Sequence, residues 1–296
     1  MLVYNTRMQS TPPALRHWHA PSPEELGEDY IDFTRRPAEP TWITVPGRDT
    51  TRSRAIVTLL HGNEPSGVKA VFDLLKSDRP PATNLGIVVA SVNAALMDPV
   101  FSHRYLPDER DLNRCFTKPA DTNQRRLAAS ILTQLGEFAP EAVIDTHNTS
   151  GHSEPFAVAT RDDPATVQLA QRFTNRLVVL DLRLGTLIEH ARPAMPIATI
   201  EFGGFTDPRA DALARESLNG FVYSRDLFDA DTRPMMVLRH PHRLEVDETT
   251  ELHYSSMVAD RADVTIFNTI DQLNFSRIEA GQPLGWIDKG RSAICG

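Results

Sequence analysis

The chain contains 296 residues, of which 41% are hydrophobic and 24% are charged. These proportions are ordinary for a globular protein and argue against intrinsic disorder. The net charge of −8 at pH 7 argues against binding to a nucleic-acid backbone, which requires a basic face, although local basic residues can still bind a small anion.

The first residues contain no apolar stretch of signal-peptide length, and no apolar run approaches the ~20 residues that span a bilayer. The two cysteines, Cys115 and Cys295, lie far apart and form no disulfide framework, which fits a reducing compartment. We therefore expect a cytoplasmic protein without membrane or nucleic-acid partners. The number of chains that assemble is left open, and a homo-oligomer is one option.

Residues 1–45 are rich in proline and charge, which predicts an irregular lead-in. From residue 55 onward, apolar runs typical of buried strands alternate with helical patterns. The predicted strands are 55–60, 86–92, 142–144, 178–182 and 197–202, and the predicted helices are 68–75, 122–138, 163–177 and 208–228. This alternation predicts an α/β fold with a mixed, mostly parallel sheet and helices on both faces.

The pattern changes after residue 231. The segments MMVLRH, HRLEVD and DVTIFN are short, rich in β-forming residues and separated by polar turns. We therefore predict a main domain over residues 1–231, which includes the lead-in, and a small C-terminal β-rich domain over residues 232–296.

Three side chains are candidates for a metal site. His61 directly follows a predicted strand, Glu64 lies where the next helix is expected to begin, and His147 ends another strand. Side chains at the carboxyl ends of strands meet in one crevice of an open α/β sheet, where these three can supply the protein ligands of a catalytic zinc ion. A second H-x-x-E pattern, at His242 and Glu245, lies in the β-rich region, where a strand would put the two side chains on opposite faces.

Asp145 precedes His147 by two residues and therefore projects on the same side of the strand. From there its carboxylate can accept the second ring N–H of a metal-bound histidine and fix the tautomer. The alternative is a core histidine that bonds Asp145 without any metal. Two clusters at strand ends favour the metal site.

Glu201 stands within an otherwise apolar strand pattern, and a buried carboxylate is unfavourable unless it is paired or functional. Burial raises the pKa of such a group, which suits a general base that takes a proton from water and passes it to a leaving amine. The alternative is a structural ion pair with a nearby arginine.

An arginine-rich segment with Arg104, Arg110 and Arg114 follows neither a helical nor a strand pattern. Guanidinium groups bind carboxylates bidentately and can stabilise an oxyanion. From composition alone, a solvated charged loop is the simpler interpretation. Cys115 in this segment is predicted to be a packed side chain rather than a nucleophile, because no His–Asp pair evidently serves it.

Together these motifs resemble the succinylglutamate desuccinylase/aspartoacylase family, a branch of the zinc carboxypeptidase-like hydrolases. The matching pieces are H-G-N-E-x-x-G at 61–67, R-Y-L at 104–106, D-L-N-R-x-F at 111–116, D-T-H-N-T at 145–149 and I-E-F-G at 200–203. They span roughly residues 55–205, and D-L-N-R-x-F is the most specific. The resemblance implies a zinc carboxypeptidase-like fold and a hydrolase that removes the acyl group from a small anionic N-acyl amino acid or related amide.

The resemblance also implies roles in the reaction. One Zn²⁺ per chain would be bound by His61, Glu64 and His147. Glu201 would be the general base and acid, and Arg104 would help to polarise the scissile carbonyl. Since two extra residues lie between R-Y-L and D-L-N-R, Arg110 is an alternative to Arg104.

Substrate recognition is implied for three further residues. Asn113 and Arg114 would hold a substrate carboxylate. The family's C-terminal domain often supplies a tyrosine that contacts substrate, and Tyr254 is the nearest candidate in this chain.

Other functions remain open. The same metal site can serve a metallocarboxypeptidase or a peptidoglycan-type amidase acting on a peptide. From a different class, the chain can be a non-catalytic zinc-binding regulatory protein, or an α/β binding protein without metal. The intact Glu201 and the complete ligand set favour an enzyme.

Overall fold

The computed structural model describes residues 15–117, 119–228, 233–241, 246–287 and 292–295. The chain divides into two compact units. The first comprises Met1–Thr149 and Pro155–His240, and the second comprises Ser150–Glu154 and Pro241–Gly296. Across the ranges just given, no helix combines the length and the apolar character needed to cross a membrane.

The first unit contains a nine-stranded sheet. Its strands are β1 (Arg16–His19), β2 (Thr41–Val45), β3 (Asp49–Thr58), β4 (Thr83–Val89), β5 (Val143–Thr149), β6 (Phe156–Ala159), β7 (Arg176–Val179), β8 (Ile197–Gly204) and β9 (Met236–Arg239). They are ordered β1-β2-β4-β3-β5-β8-β6-β7-β9. Neighbouring strands run parallel except in the β2–β4 and β6–β8 pairs. The predicted mixed, mostly parallel sheet is confirmed.

Helices pack on both faces of this sheet. They are α1 (Tyr30–Arg35), α2 (Ser66–Lys76), α3 (Val92–Leu96), α4 (Asn123–Phe138), α5 (Pro164–Gln171) and α6 (Pro208–Tyr223). Successive side chains of β3 alternate between the faces. Ile56 joins the core formed with α1, α2, α3, α5 and α6, whereas Ala55 and Val57 join the core formed with α4.

The prediction of an irregular lead-in is wrong for residues 15–45. β2 pairs antiparallel with β4, and β1 pairs parallel with β2. Trp42 is buried in the sheet, and Trp18 stacks on Phe33 of α1 with ring centroids 6.1 Å apart. The short apolar stretch of β2 lies in a region rich in proline and charge, and its strand character depends on pairing with β4, while β1 depends on pairing with β2. Residues 1–14 lie outside the described residues.

The predicted helix over 208–228 ends earlier, at Tyr223. Arg54 of β3 is buried and donates to the carbonyl oxygens of Phe221, Ser224 and Arg225, at 2.7, 2.7 and 3.0 Å. The last carbonyl groups of a helix have no donor within the helix, and here the Arg54 guanidinium supplies one. This favours the end of the helix at this point.

The C-terminal segments divide between two sheets. Met236–Arg239 forms β9 and pairs parallel with β7 in the large sheet. The second unit holds a four-stranded sheet of β10 (Leu252–Tyr254), β11 (Val264–Ile266), β12 (Pro283–Ile287) and β13 (Ser292–Cys295). The domain division at residue 231 stays a prediction. The second H-x-x-E pattern, at His242 and Glu245, lies outside the described residues.

Candidate metal centre

The carboxyl ends of β3, β5 and β8 meet at one edge of the large sheet. His61 follows β3 by three residues, His147 lies in β5, and Glu201 lies opposite His147 in the register of β8. Glu64 stands in the turn between β3 and α2. Parallel pairing therefore brings together side chains that are far apart in the sequence.

Two glycines allow the turn over residues 61–67 to pack closely. A Cβ at Gly62 would lie 2.6 Å from the carbonyl oxygen of His103, and a Cβ at Gly67 would lie 2.0 Å from Thr146 Oγ1. Gly62 also donates its backbone N–H to the carbonyl oxygen of Arg104 at 2.9 Å. A side chain at either glycine would push the turn away from these neighbours, and with it the residues that the turn carries.

His61, Glu64 and His147 form a buried cluster, with exposed fractions of 3%, 5% and 2%. One ligand atom from each lies within 4.8 Å of the others. Glu64 lies between the rings, with Oε1 2.8 Å from His61 Nδ1 and Oε2 2.6 Å from His147 Nδ1. Two imidazole nitrogens and a carboxylate are ligands that a transition-metal ion prefers.

The outer ring nitrogens of both histidines contact carboxylates. His61 Nε2 lies 3.0 Å from Asp111 Oδ1, and His147 Nε2 lies 3.0 Å from Asp145 Oδ2. Asp145 Oδ2 also accepts the hydroxyl of Thr199 at 2.7 Å. A carboxylate that accepts the outer N–H directs the lone pair of Nδ1 inward, so these residues fit a bound metal ion.

The cluster concentrates charge in a buried place. Burial alone would raise the pKa of Glu64, but His147 and His61 outweigh this effect and hold the pKa well below its usual value. Burial alone would lower the pKa of His147, but Asp145 and Glu64 reverse this effect and raise the pKa well above its usual value. The carboxylates therefore favour positive charge at this point, which a proton on His147 or a divalent cation can supply.

Glu201 lies beside the cluster, and its Oε2 atom is buried without a hydrogen-bond partner among the described residues. Burial, opposed by the neighbouring His147, raises the pKa of Glu201 to about 7. A carboxyl group of this kind can take up and release a proton near neutral pH. Within the described part of the chain no arginine pairs with Glu201, so the structural ion pair finds no support.

Arg104 lies against the cluster. Its Nη2 atom is 2.7 Å from His61 Nε2, and its Nη1 atom is 3.4 Å from Glu64 Oε1. Asp111 Oδ2 accepts from Arg104 Nε and Nη2 at 3.0 and 2.9 Å. Arg110 is exposed and makes no hydrogen bond or ion pair with the cluster in the part of the chain that is described. Of the two arginines, Arg104 is the one that the fold brings to the candidate metal ligands.

Asn113 also borders the cluster. It is 6% exposed, its Nδ2 atom is 3.3 Å from His147 Nε2, and its Oδ1 atom accepts the backbone N–H of Leu187 at 3.1 Å. Arg114 is exposed, and its Nη1 atom donates to the carbonyl oxygen of Asn113 at 2.7 Å. Tyr254 belongs to β10 of the second unit and is 64% exposed. Its contact with substrate stays a prediction.

Sequence reasoning missed Asp111, described above, and Asn148. The backbone N–H of Asn148 donates to Glu64 Oε2 at 3.1 Å. Its side-chain oxygen accepts the backbone N–H of Ser66 at 3.1 Å, while its amide nitrogen donates to Ser66 Oγ at 2.9 Å and to the carbonyl oxygen of Gly203 at 3.1 Å. One buried amide thus joins the turn that carries Glu64 to β5 and β8. Its place directly after His147 was the available signal.

The sequence matches the succinylglutamate desuccinylase/aspartoacylase catalytic domain over residues 51–219, which is more than half of the chain. This range includes every residue of the metal cluster, together with Glu201 and the arginine-rich segment. Among curated proteins, no match to this sequence was found.

Solved structures share this fold. A succinylglutamate desuccinylase from Vibrio cholerae is 17% identical, with a TM-score of 0.58, over 92% of this chain and 88% of that one. The product-bound ectoine utilization protein EutE (DoeB) from Ruegeria pomeroyi is 18% identical, with a TM-score of 0.56, over 86% and 79% of the respective chains. Murine aminoacylase 3 is 19% identical, with a TM-score of 0.55, over 84% and 87%. From its catalytic-domain match, the chain belongs to the succinylglutamate desuccinylase/aspartoacylase family of hydrolases.

Proposed function

We propose that this chain is a zinc-dependent deacylase that hydrolyses the amide bond of a small anionic N-acyl amino acid or related small amide. The main support is the buried cluster of His61, Glu64 and His147 beside Glu201, whose Oε2 atom has no hydrogen-bond partner among the described residues. Membership of a hydrolase family agrees with this reaction.

In this proposal His61, Glu64 and His147 bind one zinc ion per chain, a donor set found in catalytic zinc sites. Zinc, when bound, polarises a carbonyl group and makes a water molecule more acidic. Asp111 and Asp145 accept the outer N–H groups of the two rings, so that both Nδ1 atoms present a lone pair to the ion.

Glu201 transfers the proton. Its carboxylate accepts a proton from the attacking water as the new C–O bond forms at the carbonyl carbon. It then gives this proton to the amide nitrogen as the C–N bond breaks. The products are a carboxylic acid and an amine, and at neutral pH the remaining proton of the water passes from the acid to the amine. Burial raises the pKa of Glu201 and so favours the uptake of a proton by its carboxylate.

Cationic and amide groups would bind and orient the substrate. Arg104, which lies against the cluster, is assigned to the oxygen of the scissile carbonyl, where negative charge develops. Asn113 and Arg114 are assigned to a substrate carboxylate, and an arginine fork suits such a group. Arg110 and Tyr254 remain further candidates for substrate contacts.

The names of the solved relatives refer to different substrates, so the acyl group and the amine are open. N-succinylglutamate, N-acetylaspartate and N-acetyldiaminobutyrate form a suitable first panel. C-terminal peptides and peptidoglycan fragments test the metallocarboxypeptidase and amidase alternatives. A non-catalytic zinc protein would have no need for a carboxylate such as Glu201, whose buried Oε2 atom has no partner among the described residues, and this speaks against that alternative.

The test is amine release by purified, zinc-loaded protein, with Glu201→Gln as the blank and the exposed Glu216→Gln as the matched control. We expect Glu201→Gln to keep its zinc and to lose at least about 100-fold in rate, because the proton-transfer group is removed. Glu216→Gln should act like the wild type. A near-normal rate in Glu201→Gln would remove Glu201 from the mechanism, and silence of zinc-containing wild type on the whole panel would refute the deacylase.

A further inference from the structure

A buried carboxylate shapes the turn that precedes β8. Glu189 Oε1 accepts the backbone N–H groups of Leu184, Gly185 and Thr186 at 2.8, 2.6 and 3.0 Å. It also accepts the Thr186 hydroxyl at 3.2 Å. The bond from the Thr186 backbone N–H to Glu189 is the one that a capping box contains. Burial alone would raise the pKa of Glu189, but these N–H groups hold the pKa below its usual value. The carboxylate is therefore charged at neutral pH and closes the turn.

This turn docks on the D-L-N-R-x-F segment. The backbone N–H of Phe116 donates to the carbonyl oxygen of Gly185 at 3.0 Å, and His190 Nε2 lies 2.7 Å from the carbonyl oxygen of Phe116. Leu187 donates its backbone N–H to Asn113 Oδ1 at 3.1 Å. Three contacts therefore join the turn to the segment that carries the proposed substrate-binding residues.

Gly185 makes the close approach possible. Its φ is +78°, and a Cβ at this position would lie 2.8 Å from the carbonyl oxygen of Arg114. Only glycine adopts this backbone conformation readily and leaves room for the neighbouring chain. The docked geometry thus depends on Gly185, which allows the close approach to the neighbouring segment, and on Glu189, which closes the turn.

The docked turn decides which way the Asn113 amide faces. A backbone N–H can only donate, so the atom next to Leu187 must be Oδ1, and Nδ2 is turned toward His147. When His147 uses Nδ1 as a ligand, its Nε2 atom carries a hydrogen and donates to Asp145. The N–H groups of Asn113 Nδ2 then have no acceptor in that ring and are available to an oxygen of a bound molecule.

We propose that Glu189 is a positioning residue that, through its turn, holds the Asn113 amide as a hydrogen-bond donor and so selects substrates with a carboxylate at that point. This inference rests on the proposed function, because it takes Asn113 as a substrate contact. Without Glu189 the three N–H groups lose their common acceptor, and Leu187 no longer fixes the amide. A rotated amide would present its oxygen to the substrate carboxylate, which repels it.

The test compares zinc-loaded wild type with Glu189→Ala, Glu189→Gln, Gly185→Ala and the control Glu216→Ala, on the panel compound that releases amine. We expect KM to rise about tenfold in Glu189→Ala and Gly185→Ala, because this corresponds to the loss of roughly one hydrogen bond to a charged group. The kcat and the zinc content should change by less than about threefold. Glu189→Gln keeps a carbonyl acceptor and should restore most of the wild-type KM, and Glu216→Ala should match the wild type. An unchanged KM in Glu189→Ala, or a fall in kcat alone, would overturn the inference.

A second measurement needs no turnover and separates this inference from the proposed function. Hydrogen exchange of the Leu187 and Phe116 amides should be faster in Glu189→Ala than in wild type and Glu216→Ala, because both N–H groups donate across the docked turn. If the wild type releases no amine from any panel compound but Glu189→Ala shows the faster exchange, the result would count against the deacylase proposal and not against the positioning role. Unchanged exchange would refute the positioning role whatever the substrate.

Discussion

Asp145→Asn gives the sharpest test of the metal centre. Asp145 is fully buried, and its Oδ2 atom accepts from His147 Nε2 at 3.0 Å and from Thr199 Oγ1 at 2.7 Å, while Oδ1 has no partner among the described residues. Asparagine has the same shape and can keep both contacts through its carbonyl oxygen. Its amide nitrogen would then take the place of Oδ1 and find no acceptor. The substitution therefore removes one negative charge and adds an unpaired buried donor.

The magnitude follows from what the carboxylate does for His147. A carboxylate behind a ligating histidine raises the basicity of the inner nitrogen and fixes its tautomer, and the loss of such a partner costs about 10- to 100-fold in metal affinity. This corresponds to about 1.4 to 2.7 kcal/mol. Asp111→Asn should cost less, because the Asp111 side chain is 16% exposed and also pairs with Arg104.

Competition for zinc with a chromophoric chelator at fixed pH measures this affinity, and unfolding curves check that each variant is folded. Thr199→Val is the matched control, since it removes a hydrogen bond to the same Oδ2 atom without touching the ring of His147. We expect it to change affinity by less than about threefold. If Asp145→Asn bound zinc within about twofold of the wild type, the reasoning that links Asp145 to the metal site would be refuted.

Three further outcomes are expected. Arg54→Met should lower the free energy of unfolding in urea by about 1 to 3 kcal/mol, because it leaves carbonyl groups at the end of α6 without donors, while Glu141 keeps its pair with Arg52. A loss below about 0.5 kcal/mol would contradict this. Gly67→Ala should lower the free energy of unfolding by about 1 to 3 kcal/mol and weaken zinc binding, because its Cβ would lie 2.0 Å from Thr146 Oγ1. A Cβ at Gly136 would have nothing within 4 Å, so the control Gly136→Ala should show neither loss. Equal behaviour of the two variants would rule out the clash. In metal-free protein the pKa of Glu201 is raised to about 7, so its contribution to stability is present below pH ~4.5 and is lost as the pH rises toward 7. The thermal midpoint of the metal-free wild type should therefore fall relative to that of metal-free Glu201→Gln as the pH rises from 5 to 8. A difference between the two midpoints that stays constant with pH would count against a raised pKa of Glu201.

Local sequence patterns were enough to predict the central strands and the candidate ligands. The apolar runs before His61 and around His147 predicted strands, and β3 and β5 lie there. Parallel strands present their carboxyl ends at one edge of a sheet. Residue type and position near the end of a strand were therefore enough to predict that these side chains and Glu201 lie close together. The roles assigned to them in catalysis stay proposals.

Other features depended on contacts between residues far apart in the chain. The T-x-x-E spacing of Thr186 and Glu189 is a recognisable capping pattern, but nothing local shows that the turn docks on Asn113. In the same way, Asp111 meets His61 across 50 residues of sequence.

The sequence by itself therefore determined the α/β alternation and which side chains can bind a metal, because periodicity and ligand chemistry are properties of short segments. The tertiary structure alone decided that β1 and β2 extend the sheet, that Arg104 rather than Arg110 reaches the cluster, and which carboxylate faces each histidine. These outcomes follow from strand pairing and turn docking, whose energies arise only when distant segments meet.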